Sequence, residues 1–170
     1  MENKDIADLA PKQLERVLSF FPRVEAKASF AFAVNSALLG VVAVHLDRGD
    51  FDQPLQMIAL AFFAFALAVS YYYIYRCSFP DLKGGHASLV YFKEIGKLRE
   101  TEYIKAFRSL SDEAYVEDIL GQAWRNSQIL TEKFRAIRIA FIATGLALIP
   151  WSAFLIGASV THAPVAQLVK

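Results

Sequence analysis

The sequence has few of the residues that build disulfides and metal sites. Cys77 is the single cysteine among 170 residues, so the chain cannot form an internal disulfide. Histidine occurs only at His45, His86 and His162, and no cysteine or second histidine stands near any of them at the spacing of metal ligands. We therefore predict no metal and no cofactor, and we interpret Cys77 as an apolar filler.

Motifs of known catalytic sites are absent as well. The sequence has no nucleophile elbow, no HExxH pair, no dinucleotide-binding fingerprint and no kinase signature. The Gly84-Gly85 pair does not stand in the pattern of a phosphate loop, so we interpret it as a turn. Adjacent acids at 112–113 and 117–118 are typical of a helix start and of a solvated helix face. We predict that the protein is not an enzyme and has no catalytic residues.

Charge is missing from three long stretches, residues 28–46, 55–75 and 139–160, which contain no Lys, Arg, Asp or Glu. A membrane-spanning helix needs about 20 mainly apolar residues, because the hydrocarbon core is about 30 Å thick and a helix rises about 1.5 Å per residue. The stretches therefore predict three transmembrane helices. Asn35 within the first is expected to face another helix, since an isolated polar group is costly in lipid.

The charged residues are distributed unevenly around these stretches. The connection 47–54 holds three Asp and one Arg, whereas nearly all Lys and Arg lie in residues 1–27 and 76–138. Basic residues near span ends mark the cytoplasmic side of a membrane. We therefore predict a cytoplasmic N-terminal segment 1–27, an external turn in the transmembrane hairpin 28–75, a cytoplasmic segment 76–138 and an external tail 161–170.

Helical patterns run through both predicted cytoplasmic segments. An amphipathic helix is predicted to begin at Pro11 and to end at Pro22, because proline suits a first turn and apolar residues follow on one face. Two short helices are predicted over 88–96 and 102–110. Ser111 is predicted to cap the N-terminus of a third helix.

That third helix is predicted to continue into the last span. No Gly or Pro interrupts the sequence between Gln122 and Thr144. The predicted fold is an all-α membrane protein with three transmembrane helices, a cytoplasmic helical module between the second and third, and a long helix continuous with the third. A seam on this helix packs either on the same chain or on a second copy, and both alternatives stay open. Its positions follow the coiled-coil spacing of four and three residues: Val116, Leu120, Ala123, Ser127, Leu130, Phe134 and Ile137.

Basic and aromatic residues stand close together between the second and third spans. Lys105 and Arg108 are three residues apart and share one helix face. The aromatic Tyr91, Phe92 and Tyr103 are suited to stack on a base while the two cations contact a phosphate. The alternative is that these cations serve membrane topology and lipid headgroups.

Three stretches resemble the Pycsar transmembrane effectors. RVEAKASFAFAVNSALLG (23–40) resembles the acidic-x-Lys-Ala entry into the first span of this family, with Glu25 where Asp is more frequent. LVYFKEIGKLRETEYIKAF (89–107) resembles its YF-x-x-I segment. YVEDILGQAWRNSQILTEKFRAIRIAF (115–141) resembles its Gln-x-x-x-Asn-Ser-x-Ile-x-x-x-Lys helix before the last span. The stretches follow the family's order, and the likeness extends over about residues 14–160.

The resemblance implies a role in bacterial anti-phage defence. In such systems a pyrimidine cyclase makes cyclic CMP or cyclic UMP on infection, and the effector need not contact the cyclase directly. The effector senses the nucleotide and impairs the inner (plasma) membrane, which stops growth of the infected cell. On this hypothesis residues 76–138 are the sensor module, and the chain acts in the lipid bilayer as a homo-oligomer.

The patterns and the resemblance together single out the candidate site residues. The predicted ligand-binding residues are Tyr91, Phe92, Lys105, Arg108, Asn126 and Lys133. The predicted structural or membrane-edge residues are Glu25, Lys27, Asn35 and Gln122, and Ser127 is a further family-like position. As an alternative to a ligand role, Glu25 and Lys27 are suited to an ion pair that holds the first spanning helix.

Other function classes remain open on the sequence alone. One is a non-sensing structural subunit or small oligomeric channel, whose cytoplasmic part only assembles the protein. Another is an effector that responds to a different nucleotide signal. Nucleotide titration separates these classes, because only a sensor binds one nucleotide selectively.

Overall fold

The computed structural model describes residues 3–79 and 87–161, and the regular structure in these residues is helical throughout. The prediction of an all-α protein is confirmed. The predicted Gly84-Gly85 turn, His86, and His162 with the rest of the tail lie outside the described residues. The elements are α1 (Asn3–Leu18), α2 (Phe21–His45), a 3-10 turn (Arg48–Asp52), α3 (Pro54–Ser78), α4 (Phe92–Ile95), α5 (Glu100–Arg108) and α6 (Asp112–Thr161).

Three helical stretches are long and apolar enough to cross a membrane. They are Ile6–His45, which contains most of α1 and all of α2, then Pro54–Ser78 and Asp112–Val160. The predicted spans lie within them except for Leu46. The predicted continuity of the last span with a long preceding helix is also confirmed, since α6 runs through 50 residues.

Contacts divide the chain into two compact units. The first, which we call the polar unit, comprises Met1–Glu25 and Phe79–Phe134. The second, which we call the span unit, comprises Ala26–Ser78 and Arg135–Lys170. Helices α2 and α6 each contribute residues to both units. The side of the membrane on which the polar unit lies stays a prediction.

The core of the span unit is built from α2, α3 and α6. Phe63 and Phe154 are its largest buried side chains, each 1% exposed. Helix α6 also buries alanines at 136, 140, 143 and 147, of which Ala147 belongs to the same cluster as Phe63 and Phe154. Such small side chains let helix backbones approach closely. The indole Nε1 of Trp151 donates to the backbone oxygen of Leu38 at 3.2 Å. The three helices thus pack as a bundle that turns its small side chains inward.

The connection between α2 and α3 is a capped turn. Asp47 accepts a hydrogen bond from the backbone N–H of Arg48 at 2.6 Å, and its own N–H donates to Asp50 Oδ2 at 2.9 Å. These side chains satisfy backbone groups that a short turn leaves unpaired. Asp47 and Asp50 therefore stabilise the turn in addition to contributing to its negative charge.

Helix α1 differs from its predicted limits at both ends. It begins at Asn3, so that Pro11 lies in its interior, and it ends at Leu18 rather than Pro22. The helix begins earlier than predicted because Ile6 and Ala10, four residues apart, continue its apolar face towards the N-terminus. Ala10 is buried, with 2% of its surface exposed. Pro22 instead lies in the first turn of α2, where its missing N–H costs no hydrogen bond.

The segment predicted as a helix over 88–96 is mostly a turn. Only Phe92–Ile95 is helical, because side-chain hydrogen bonds described below hold the preceding residues in another conformation. Helix α5 covers Glu100–Arg108, close to its predicted limits. The predicted cap of α6 is confirmed, since Ser111 Oγ accepts from the backbone N–H of Ala114 at 3.3 Å.

An exposed ion pair stabilises the first turn of α5. The guanidinium of Arg99 donates to the Glu102 carboxylate, and so does the backbone N–H of Arg99. These hydrogen bonds hold the pKa of Glu102 below its ordinary value. The stabilisation is therefore present at neutral pH and is lost as the pH falls through the folded-state pKa. Water screens the pair, so its contribution is small.

The predicted seam of α6 is only partly covered within one chain. Ala123 and Ile137 are buried, but Leu120 is 41% exposed. Ile119, the residue before Leu120, is better covered and is 2% exposed. The packing of the seam on its own chain is therefore incomplete, and the alternative of a second copy stays open.

Candidate functional site

A turn just before α4 is held by a carboxylate on α6. Asp118 Oδ2 accepts hydrogen bonds from the backbone N–H groups of Leu89 at 2.8 Å and of Val90 at 3.2 Å. Backbone amides of a turn have no partners from a helix or sheet, so a carboxylate that accepts two of them holds the turn in place.

Ser88 joins the same turn to a second side chain of α6. Its Oγ accepts from the backbone N–H of Tyr91 at 2.9 Å and from Gln122 Nε2 at 3.1 Å. The preceding Ala87 has φ of 56°, in the left-handed region that costs a non-glycine residue about 1–2 kcal/mol. Two polar side chains of α6 thus hold a strained backbone, and they fix the position of Tyr91 and Phe92.

Tyr91 and Phe92 form an aromatic pair at the start of α4. Their ring centroids are 5.0 Å apart in an edge arrangement. Phe92 is 68% exposed, so much of its ring is uncovered. An uncovered ring on a well-anchored turn is suited to stack on a planar ligand group.

The exposed face of α5 has a basic depression of about 440 Å³. Lys105 and Arg108 line it together with the hydroxyl residues Thr101 and Ser109. Neither cation has an acidic partner among the side chains that the structure describes, those of residues 6–79 and 87–160. Two unpaired cations beside hydroxyl groups form a surface that is suited to a phosphate.

The other face of α5 is attached to α6 by aromatic rings. Phe107 lies between Tyr103 and Tyr115, with ring centroids 5.8 Å and 5.9 Å away. Tyr103 belongs to this row and does not line the depression at Lys105 and Arg108. The aromatic row instead fixes the orientation of the helix that carries the two cations.

Lys133 is a buried cation with two partners. Its side chain is 4% exposed, and its Nζ lies 3.2 Å from Glu25 Oε1. The ammonium also lies 5.6 Å from the ring centroid of Phe21, within the range of a cation–π contact. One alternative expected Glu25 to pair with Lys27, but the ion pair that the structure shows for Glu25 is with Lys133. An anionic ligand at Lys133 therefore has to compete with Glu25.

Asn126 and Ser127 make hydrogen bonds to their own helix. Asn126 Nδ2 donates to the backbone oxygen of Gln122 at 2.8 Å, and Ser127 Oγ donates to that of Ala123 at 2.8 Å. Such back-bonding is common for short polar side chains inside helices. The described contacts of these two side chains are therefore local to α6.

The predicted ligand-binding residues lie in separate groups. Among the described residues, no hydrogen bond, ion pair or ring contact directly joins one group to another, and no cluster of three or more His, Cys, Asp or Glu is suited to a metal. Their common role in binding a ligand stays a prediction. The groups are Tyr91 with Phe92, Lys105 with Arg108, and the α6 residues Asn126 and Lys133.

Sequence reasoning missed Asp118 and Ser88, and it did not single out Arg125. In the part of the chain that the structure describes, Nε of Arg125 is buried and has no hydrogen-bond partner. Asp118, Gln122 and Arg125 follow one another at steps of four and three residues, which places them on one face of α6. This spacing could have indicated a shared polar face in the sequence. It was not distinctive, because charged residues at helical spacing usually lie on a solvated face.

A comparison with protein families identifies the chain. A family model described as the Pycsar effector protein domain matches residues 9–158. The chain belongs to the Pycsar effector family. No curated protein and no solved structure matches it. With its three apolar helices, this membership makes the protein a multi-pass membrane effector of Pycsar anti-phage defence.

In this Pycsar effector a buried polar cluster joins the three helices of the span unit. Asn35 Nδ2 donates to Ser70 Oγ at 2.7 Å, and Thr144 Oγ1 donates to Asn35 Oδ1 at 2.8 Å. Ser70 Oγ in turn donates to the backbone oxygen of Ala140 at 3.1 Å. Asn35 therefore faces the neighbouring helices, as predicted, and its amide group makes one side-chain hydrogen bond to each of them.

The effect of Asn35→Leu tests this cluster. We expect the free energy of unfolding of the span unit to fall by about 1–2 kcal/mol. The change removes two interhelical hydrogen bonds of about 0.6 kcal/mol each, and the leucine side chain crowds a site that fits an amide. Unfolding of the full chain in mixed detergent micelles measures the loss. Ser159→Ala is the control, because the exposed Ser159 Oγ donates to the backbone oxygen of Ile156 in its own helix. Equal losses for both variants argue against a stabilising role for the cluster.

Proposed function

We propose that this Pycsar effector is activated by a cyclic pyrimidine nucleotide, cyclic CMP or cyclic UMP. The nucleotide binds the polar unit, and the span unit then impairs the bacterial inner membrane and arrests growth. The effector receives the nucleotide from a pyrimidine cyclase by diffusion, so direct contact with the cyclase is not required. The protein acts on the bilayer without catalysis.

The basic depression on α5 is the observation that carries the proposal. A cyclic nucleotide has one negative charge on its phosphodiester, a ribose hydroxyl and a planar base. Lys105 and Arg108 supply unpaired positive charge, and Thr101 and Ser109 supply hydroxyl groups beside it. The exposed ring of Phe92 supplies a stacking surface in the same unit. These groups match the chemistry of the ligand that the family membership suggests.

Helix α6 supports a mechanical link between sensing and output. It is a single helix from Asp112 to Thr161, and it contributes Asp118 and Gln122 to the polar unit and Thr144 to the span unit. A ligand shifts a conformational equilibrium only by its difference in affinity for the two states. On our proposal the active state of the polar unit binds the nucleotide more tightly, and α6 transmits the change.

The active form is proposed to be a homo-oligomer with its N-terminus and polar unit in the cytoplasm. The partly uncovered seam at Leu120 supports assembly through α6, because large apolar side chains favour a partner surface. Trp124, one turn further, is 64% exposed and adds to the same region. The excess of Lys and Arg in residues 1–27 and 76–138 supports the orientation.

The first experiment is calorimetric titration of the full chain in lipid nanodiscs. Cyclic CMP, cyclic UMP, cyclic AMP and cyclic GMP are titrated separately. We expect saturable binding of one pyrimidine nucleotide and none of the purine nucleotides. A folded protein that binds none of them favours the non-sensing channel or structural subunit.

Charge removal at the depression then tests the site. We expect Lys105→Gln and Arg108→Gln each to weaken binding by about 10- to 100-fold, since a hydrogen bond to a charged group contributes about 1.5–3 kcal/mol. Lys97→Gln is the control, because Lys97 is an exposed cation of the same unit that pairs with Glu94 and does not line the depression. Unchanged affinity in both depression variants places the ligand elsewhere in the polar unit.

A further inference from the structure

Lys133 and Glu25 form an ion pair whose two members are buried to very different extents. The side chain of Lys133 is 4% exposed and that of Glu25 is 59% exposed. Lys133 belongs to α6 and Glu25 lies near the beginning of α2, so the pair joins two helices. The carboxylate therefore extends from the solvent to a cation that the solvent scarcely reaches.

The charge of Lys133 is compensated by a single carboxylate among the described side chains at 6–79 and 87–160. An ammonium group has three N–H donors, and the hydrogen bond that the structure shows for Lys133 Nζ goes to Glu25 Oε1. The ring of Phe21, in the first turn of α2, adds a cation–π contact. A neutral ring does not replace a counter-ion, so the burial of Lys133 depends on the charge of Glu25.

Loss of that charge is costly only while Lys133 stays buried. A buried cation without a counter-ion is strongly unfavourable, whereas a hydrated cation is not. Hydration of Nζ requires the side chains around it to move, and the two that contact it, Glu25 and Phe21, both belong to α2. Removing the charge of Glu25 therefore favours a state in which the beginning of α2 has separated from α6.

The pair lies where both helices leave the polar unit. Glu25 is the last residue of that unit on α2, and Lys133 directly precedes Phe134, its last residue on α6. Both helices continue without a break into the span unit, where Thr144 Oγ1 donates to Asn35 Oδ1 at 2.8 Å. A change at the pair therefore acts on two of the three helices that build the span unit.

We propose that the Glu25–Lys133 pair is a latch, a contact that stabilises the quiescent state of the effector relative to the state that impairs the membrane. The inference rests on the proposed function for these two states. The pair is formed in the same structure as the packed core around Phe63 and Phe154, which belongs to the quiescent state. Loss of the pair raises the free energy of that state alone and shifts the equilibrium towards the active state.

Dye release from vesicles without any nucleotide tests the latch. The full chain is reconstituted into vesicles of phosphatidylethanolamine and phosphatidylglycerol that contain a fluorescent dye. We expect Glu25→Gln to release dye about tenfold faster than the unmodified protein or more, because removing one partner of a buried pair shifts an equilibrium at least that far. Glu15→Gln is the matched control, since it removes an exposed negative charge from the same unit and leaves the pair intact.

A second substitution separates the latch from general destabilisation. In Glu25→Gln/Lys133→Met the buried position holds an unbranched apolar side chain, and no charge needs compensation. We expect this double variant to release dye as slowly as the unmodified protein. Equal release from Glu25→Gln and from the double variant, both with an intact helical spectrum, overturns the latch, because the uncompensated cation is then not the cause. Release from Glu25→Gln no faster than from Glu15→Gln overturns it as well.

Addition of cyclic CMP or cyclic UMP to the unmodified protein distinguishes the latch from the proposed function. Nucleotide-dependent release by the unmodified protein, together with vesicles that stay closed with Glu25→Gln, overturns the latch and leaves the proposed function standing. Release by Glu25→Gln that Lys133→Met suppresses, together with an unmodified protein that responds to neither nucleotide, supports the latch and contradicts the proposed activating ligand.

Discussion

Replacing Phe63 by alanine lowers the free energy of unfolding of the span unit by about 2–4 kcal/mol. Phe63 is 1% exposed and packs in the core with Leu67 and Phe154. Lipid tails are as apolar as the lost ring, so the loss comes mainly from the cavity and from lost van der Waals contacts. Equilibrium unfolding of the full chain in mixed detergent micelles measures it.

Phe62→Ala is the matched control for this prediction. Phe62 precedes Phe63 on α3 and is 65% exposed, so its ring lies outside the core of the span unit. We expect its removal to cost less than about 0.5 kcal/mol, as is usual for surface substitutions. If the two variants are destabilised to the same extent, the face of α3 that packs against α2 and α6 is wrongly assigned.

Replacing Asp118 by alanine destabilises the polar unit by about 2–3 kcal/mol, because a partly buried backbone donor is left without its charged acceptor. The N–H of Leu89 loses the acceptor that the structure shows for it, and that of Val90 keeps a weaker contact to Ser88 at 3.2 Å. Amide hydrogen exchange measures the change locally. We expect faster exchange at Leu89 and Val90 than in the unmodified protein.

Glu117→Ala is the control for Asp118→Ala. It removes the same charge one position earlier, where the side chain is exposed. We expect exchange at Leu89 and Val90 to stay unchanged in this control. On our proposal Asp118→Ala also weakens the cyclic nucleotide response, since the turn carries Tyr91 and Phe92. Wild-type exchange in Asp118→Ala would falsify the anchoring role of the carboxylate.

Local pattern predicted some elements well and others poorly. The cap at Ser111 was correct because capping depends on a serine and the turn that follows it. The helix predicted over 88–96 was wrong over 88–91, because Asp118 and Gln122, about 30 residues further on, hold that part as a turn. Apolar spacing in such a short segment does not outweigh hydrogen bonds from another element.

In the candidate site too, local helix geometry was predicted correctly and contacts between distant residues were not. The pairing of Lys105 and Arg108 on one face followed from helix geometry, since residues three apart are neighbours on any helix. The pairing of Lys133 with Glu25 joins residues 108 positions apart. No periodicity within either segment contains that information, so a cation predicted to meet a ligand proved to be buried against a carboxylate.

The sequence by itself determined that the chain is helical, that three stretches are apolar enough to span a membrane, and that it resembles the Pycsar effectors. The length of an apolar stretch and the order of motifs are properties of the sequence, so they can be recognised without the folded structure. Only the tertiary structure decided which polar groups meet: Asn35 with Ser70, 35 positions away, and with Thr144, 109 positions away. A polar group in an apolar core needs a partner, but the choice of partner depends on how the helices pack.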